Sequence, residues 1–504
     1  MDESSNSRSF LAIVEVADES DPDTEWAIVD AVAEDSLGLV LRSVRGDPTN
    51  ESSEDEWDVL ALRCRTQALM ERNVVTDNRA IWYRVEVARH PSPRDIEAEV
   101  VLLGDTEGEP PKVGIRQIEQ AERRVASELT AWAMLMRERR SAENFISGIL
   151  DLALEGVDED IAVAAYDVGQ GNCNAIVDTY EHPRVFYDLG WPPNFNARTR
   201  PQRKPNLFSC QELCVAPVVL SHWDMDHWAY AVRSTTFDSP NISSRANWND
   251  AALRRFWLAR APQQQAHQLG PMHMKLFEAL RKVELLPGLP ALQLWPDRTR
   301  RIRFRHGWIE ACAPLDGSAG NRNNSGLAMF VVDRHGHAVL LPGDADFSSI
   351  PTLRGWWRPR AAEMLATTFE AWWRRGFDGL LRETLALWWR SRLVGLVASH
   401  HGGRVDPRYV PRPLEGSPAT LVISVGDGNN YGHPKQEALS AYATRNWREL
   451  RTSSRIPCPG PDRHAHELGN RLIPFPKAPL PRCGCGCVID GRLCLSTDPQ
   501  GTTT

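Results

Sequence analysis

Apolar positions open the chain in strand-length runs at residues 10–16, 26–33 and 37–44, each set off by acidic turns, and an alternating run follows at 80–88. Runs of this length between polar clusters predict β-strands. From about 115 to 152 the spacing changes. Ile118, Ala121, Val125, Leu129, Trp132 and Met136 recur at intervals of three or four, the period of one helical face. Residues 1–155 are therefore expected to form an α+β accessory domain. They carry no recognisable chemistry, and a protein partner is the role left open for them.

Between 160 and 450, strand and helix signals alternate. Strand-length apolar runs stand at 161–166, 175–178, 185–188, 215–221, 302–313, 327–333, 338–342, 393–399 and 420–425. Helical periods lie at 250–260, 271–283, 358–390 and 435–447. Such alternation predicts an α/β domain over 156–450. Several of the runs end in His or Asp, and loops at strand ends are where a rigid scaffold presents functional groups. Residues 451–504 are rich in Pro, Gly and Cys with little periodicity, and an irregular tail is expected.

At 504 residues the chain is too long for one ordinary core. No apolar run approaches the roughly 18 residues that span a bilayer. The start, MDESSNSRSF, lacks the basic and apolar pattern of a secretory signal. The ten cysteines do not form a secreted disulfide framework. A cytoplasmic chain without membrane contact is the expectation. The net charge of -8 is uneven: the first 60 residues hold 17 acidic and 3 basic side chains, which leaves the rest of the chain positive. A positive body can approach a polyanion, although acidic residues that merely solvate a surface are the simpler explanation.

The chemistry concentrates at Ser221-His222-Trp223-Asp224-Met225-Asp226-His227, directly after an apolar run. Four potential metal ligands fall within six residues, and zinc or manganese needs imidazole and carboxylate donors converging within about 2.0–2.3 Å. Leu340-Leu341-Pro342-Gly343-Asp344 places a further carboxylate at a strand end, and Ser399-His400-His401-Gly402-Gly403 places two imidazoles at another. Tyr431-Gly432-His433-Pro434 closes the series.

Taken in order, Asp167-Val168-Gly169-Gln170-Gly171-Asn172, Tyr187-Asp188-Leu189-Gly190, the His222–His227 cluster, Asn324-Ser325, Gly343-Asp344, His400-His401-Gly402 and Tyr431-Gly432-His433-Pro434 resemble the metallo-β-lactamase superfamily. The hydrolase domain of ComEC-type competence proteins is the most similar pattern. The resemblance implies an αββα sandwich with two divalent ions, zinc or manganese, at one edge; one ion is the alternative. His222 and Asp224 would hold the first ion, Asp226, His227 and His400 the second, and Asp344 would bridge them. A metal-bridged hydroxide would then be the nucleophile. His433 would contact substrate or protonate the leaving group, His401 would do the same or support its loop, and Asp167 would orient a ligand imidazole. Two departures stand out. Asp224 replaces the family's second histidine, which shifts preference toward harder cations. Asn323, Asn324 and Ser325 stand where many relatives supply a third histidine.

Weaker signals remain. The stretch between Asp344 and His400 carries Trp356, Trp357, Phe369, Trp372, Trp373, Phe377, Trp388 and Trp389 among arginines, a base-stacking cap or an ordinary packed helix pair. Arg198, Arg200, Arg203 and Lys204 make a basic loop. Cys483, Cys485, Cys487 and Cys494, with Cys458, His464 and His466 upstream, could hold a structural zinc, though with unusual spacing. Cys173 reads as a buried packing residue. Three functions follow: a metal-dependent phosphodiesterase or nuclease, a hydrolase of a small phosphoester or other ester, and a metal-stabilised binding module.

Overall fold

The computed structural model describes residues 6–16, 25–45, 57–74, 81–106, 108–157, 161–202, 204–208, 215–314, 322–357, 393–416, 419–457, 467–476, 488–489 and 492–493. Most of the aromatic stretch before His400 and the C-terminal cysteine cluster lie outside them.

Six antiparallel strands come first: β1 (Ser7–Val16), β2 (Trp26–Ala33), β3 (Val59–Arg65), β4 (Trp82–Ala88), β5 (Ile96–Val100) and β6 (Lys112–Gln120). They pair in the order β3-β2-β1-β4-β6-β5, and β5 returns to β3 with Leu62 opposite Val100, so the sheet closes into a barrel. Alternation explains what fills it. Phe10, Ala12, Val14, Val29, Leu60, Leu62, Tyr83, Val85, Ala98 and Val113 share one core inside the closed sheet. The intervening Leu11, Ile13, Ile28, Ala61 and Trp82 point outward into a second core shared with the rest of the molecule. Between strands lie α1 (Leu37–Arg45) and the short α2 (Thr66–Met70); α3 (Arg123–Ala133) and α4 (Glu143–Ala153) follow the barrel.

Two seven-stranded sheets make the remainder. In the first, β7 (Ala162–Ala165), β8 (Asn174–Val177), β9 (Pro183–Tyr187) and β10 (Val218–Val219) continue to a parallel edge. The hairpin of β11 (Val232–Asp238) and β12 (Ser243–Trp248) leaves this sheet and adds to the barrel through β3. After α5 (Asp250–Leu253), β13 (Trp257–Ala259) extends the first sheet; α6 (Pro271–Lys282) and a small hairpin, β14 (Glu284–Leu286) and β15 (Leu289–Pro290), precede its edge strand β16 (Leu292–Leu294).

The second sheet runs in chain order: β17 (Arg301–Phe304), β18 (Gly307–Ala311), β19 (Leu327–Val332), β20 (Ala338–Leu341), β21 (Leu393–Val397), β22 (Thr420–Ile423) and β23 (Arg448–Arg451), with α7 (Gln436–Thr444) before the last. Beyond the pair β24 (Ile456–Pro457) and β25 (Glu467–Leu468), β26 (Arg471–Pro474) returns to pair antiparallel with β7. Val163, Ile176, Val185 and Val219 of the first sheet share a core with Met329, Val339, Val397 and Val422 of the second.

The expected fold class is overturned. Strand takes 33% of the chain against 25% helix, so the protein is mostly β rather than α/β, with a closed six-stranded barrel and several sheets in place of an αββα sandwich. The N-terminal region is correspondingly a barrel, not an α+β unit. The physical reason lies in what covers the first sheet: its outer face packs on the outward residues of the barrel together with α3 and α6, not on a layer of helices.

Local readings also shift. Residues 37–44, read as a strand, form helix α1, because the run has three- and four-residue apolar spacing (Leu37, Val40, Leu41, Val44) as well as strand length. The helical pattern from 115 begins inside strand β6 and divides into two helices. The run at 302–313 folds at Arg305-His306 into a hairpin. The 250–260 helix shrinks to one turn before β13. Among the described residues, no helix is long and apolar enough to cross a membrane.

Candidate metal centre

The site lies where three strands of the facing sheets end. β10 delivers Ser221 and His222, followed by the single turn Met225–His227; β20 delivers Gly343 and Asp344; β21 delivers the turn Ser399–Gly402. The approach is close enough to dictate a glycine. Gly343 has φ +60°, and a Cβ there would stand 2.6 Å from the Ser221 Cβ. His400 and His401 also take left-handed backbone, at φ 48° and 51°, a conformation that non-glycine residues hold only when their surroundings fix it.

Six of the expected residues gather here. The His227 Nε2 lies 3.2 Å from Asp344 Oδ1 and 3.9 Å from Asp226 Oδ1. The His401 Nε2 lies 3.3 Å from Asp226 Oδ2 and 4.0 Å from Asp344 Oδ1. The His222 Nε2 lies 3.1 Å from Asp224 Oδ2 and 3.9 Å from Asp344 Oδ2. These three nitrogens are buried and make no hydrogen bond, although each faces carboxylates. Two trios of donors converge, His222 with His227 and Asp344, and Asp226 with His227 and His401.

The opposite ring nitrogens explain the orientation. The His401 Nδ1 meets the Ser424 carbonyl at 2.7 Å and so carries the proton, leaving Nε2 to face the carboxylates. The His227 Nδ1 donates to Asp188 Oδ2 at 2.8 Å, which turns its Nε2 toward Asp344. Ser221 Oγ donates to Asp188 Oδ2 at 2.8 Å and stands 3.0 Å from the His222 Nδ1. Asp188, at φ 65°, also accepts from the Ser221 amide and from Asn172 Nδ2, at 2.6 and 2.9 Å. One buried carboxylate thus fixes the strand end and an imidazole together.

Charge is concentrated and compensated. Burial works against ionisation of Asp344, but His227, His400 and His401 outweigh it and hold the carboxyl well below its usual range. Burial likewise opposes Asp226 and Asp224, and the same direction wins: His401 and His227 lower the first, Arg322 and His222 the second. Burial alone would lower the His227 imidazole, yet Asp344 and Asp188 carry it well above the ordinary histidine value. The ensemble is a buried cluster of opposite charges around ring nitrogens without hydrogen bonds, and donors of this type suit zinc or manganese.

Other expected residues fall elsewhere. His400 is at the rim, with its Nε2 3.7 Å from Asp344 Oδ2 and its ring 5.2 Å from that of His433. His433 packs edge-on against His400, and its own amide and carbonyl are both bonded to the Asn429 side chain. Asp167 orients no imidazole: it receives two bonds from Arg455, at 2.6 and 3.0 Å, and the orienting role falls to Asp188. Asn324 pairs with Asp346, and Asn323 approaches the His400 Nδ1 at 3.4 Å. The basic loop is engaged locally: Arg200 donates to the Pro192 carbonyl, Lys204 pairs with Asp105, and Arg198 donates to Asn430; Arg203 lies outside the described residues. Cys173 is fully buried, and burial raises its thiol well above the usual value.

Sequence reasoning missed Arg322 and Glu15. Arg322 Nη2 contacts Asp224 Oδ1 at 2.5 Å, and Glu15 of β1 holds the same guanidinium at 2.9 and 3.1 Å. Nothing in the spacing of either residue signals this, since they stand 307 residues apart. A cleft of about 70 Å³ opens beside the cluster, lined by Glu15, Asp224, Asp226, Arg322, His400 and Tyr431 among others. The barrel thus forms one wall of the site.

No family model matches the chain, and the search of curated proteins finds no match either.

Proposed function

We propose that the chain is a metal-dependent hydrolase of phosphodiesters. The observation that carries this reading is the set of three buried Nε2 atoms, on His222, His227 and His401, that lack hydrogen bonds and face Asp224, Asp226 and Asp344. Leaving such atoms buried without a hydrogen bond is costly, and a divalent cation would satisfy nitrogens and carboxylates at once. A bound divalent ion would supply Lewis acidity toward a phosphoryl oxygen and activation of water near neutral pH. The motif order, similar to that of metallo-β-lactamase superfamily hydrolases, favours hydrolysis over metal storage.

The chain's own residues divide the work. The Ser424 carbonyl fixes the direction of the His401 Nε2 lone pair, and Asp188 fixes the His227 ring so that its Nε2, on giving its proton up to an incoming ion, would face the same way. Arg322 faces the cleft with a permanent positive charge suited to an anionic ester oxygen. His433, buried with its ring 5.2 Å from that of His400, is the imidazole nearest the rim that could serve a leaving group once His400 moves aside.

A second reading keeps the chemistry and narrows the substrate to a small phosphoester. The small cleft, about 70 Å³, favours it over a polynucleotide.

The test is turnover of bis-p-nitrophenyl phosphate and of single- and double-stranded DNA with manganese, magnesium or zinc. Metal-dependent cleavage is expected, and it should disappear in the Asp226→Ala plus His227→Ala double variant. Unchanged turnover in that variant would remove the assigned site. Cleavage of the small ester alone would select the second reading.

A further inference from the structure

We infer that the centre holds a single divalent ion, on the Oδ1 side of Asp344, and that the Arg322 guanidinium takes the place of a second ion beside Asp224. The inference rests on the metal-centre reading above.

Asp344 divides the cluster by its two oxygens. On the Oδ1 side, the Nε2 atoms of His227 and His401 each face both Asp344 and Asp226, at separations of 3.2 to 4.0 Å. A tetrahedral ion with bonds of about 2.1 Å spaces its donors about 3.4 Å apart, so these four side chains need little movement to close on one. On the Oδ2 side the donors are looser. His222 and His400 stand 3.9 and 3.7 Å from that oxygen. Among the described residues, the trio that includes His222 also requires His227. One Nε2 lone pair binds one ion, so the two trios cannot both be filled.

Asp224 supplies the second argument. The carboxylate that would complete the Oδ2 side is divided: its Oδ1 contacts Arg322 at 2.5 Å and only its Oδ2 faces the cluster, 3.1 Å from the His222 Nε2. That guanidinium is not a passing contact. It is 9% exposed, and Glu15 grips it with two hydrogen bonds from the barrel. Arginine does not give up its proton in a protein. A dication on Asp224 Oδ1 would therefore have to displace a guanidinium that Glu15 holds in place, in a buried setting where screening is weak.

The arrangement also accounts for a departure in the sequence. Imidazole at position 224 would leave Arg322 with Glu15 as its negative partner alone, whereas Asp224 adds a second on the metal side. Arg322 lines the same cleft as His400 and Asn323, so its charge is available to a substrate oxygen from the direction a second ion would have served. The barrel gains a task from this, because Glu15 of β1 fixes the guanidinium.

Equilibrium titration of the metal-stripped full chain with manganese, and separately with zinc, read by elemental analysis after desalting, tests the inference. One ion per chain is expected, and two per wild-type chain would overturn it. With Arg322→Gln, Asp224 is freed, and the count should rise to two; a count that stays at one would show that Arg322 does not exclude the second ion. Arg322→Lys, which keeps a positive charge beside Asp224, guards against misfolding of the glutamine variant: it should stay at one ion, whereas two ions in the lysine variant would overturn the inference. No ion in the wild-type chain would instead remove the metal-centre reading, and this inference with it.

Discussion

Asp188 shows how much of the site depends on a residue with no place among the donors. Its carboxylate accepts from Asn172, the Ser221 amide and hydroxyl, and the His227 Nδ1. Losing one negative oxygen should free the His227 ring and lower its basicity. Asp188→Asn is therefore expected to weaken metal binding about 10–100-fold, measured by competition with a chromogenic chelator; unaltered affinity would mean that His227 is not a ligand. A residue far from the site carries a pH dependence. Burial pushes the Glu181 carboxyl up to about 8. The folded state thus disfavours its charge, so stability is highest below the unfolded value of about 4.3 and falls as pH rises toward 8. Glu181→Gln should raise the melting temperature at pH 9 and leave it nearly unchanged at pH 4. Equal effects at both values would contradict the burial of that carboxyl.

The strand-end loops set the precision of the site. Gly343 sits in left-handed backbone against Ser221, so Gly343→Ala should cost about 1–3 kcal/mol in chemical denaturation and displace Asp344. The strands feeding these loops were legible because their apolar runs end abruptly in His or Asp: 215–221, 338–342 and 393–399 all lead into the cluster. The choice between neighbours was not. His400 and His401 share one sequence context, and only the paired left-handed backbone turns His401 inward and leaves His400 at the rim. The helix at 271–283 was legible from its period, whereas 37–44 satisfied both strand length and helical spacing. Barrel closure was invisible for another reason. It depends on β3 meeting β5, a pairing set by tertiary contact rather than by any local period.

At the scale of the molecule, the barrel and the first sheet share one core, and that sheet shares another with the second. Trp82 is 2% exposed on the outer side of β4, and its indole donates to Gln268 at 3.2 Å. With α3, α6 and the first sheet packed on the same residues, the two parts should unfold together. Calorimetry is expected to give one transition, and Trp82→Ala should reduce the free energy of unfolding by about 3–5 kcal/mol while keeping that transition single. Two separated transitions would show that the barrel is an independent unit. The same packing places Glu15 in the cleft wall, so the N-terminal strand and the strand-end loops make one site.

The most direct measurement is a crystal structure of the full chain grown with manganese, with anomalous differences recorded to locate the ion. The account places the principal peak among Asp226, His227, His401 and Asp344, with the Arg322 guanidinium on Asp224. A peak elsewhere, or none at this cluster in a crystal that holds the metal, would contradict it.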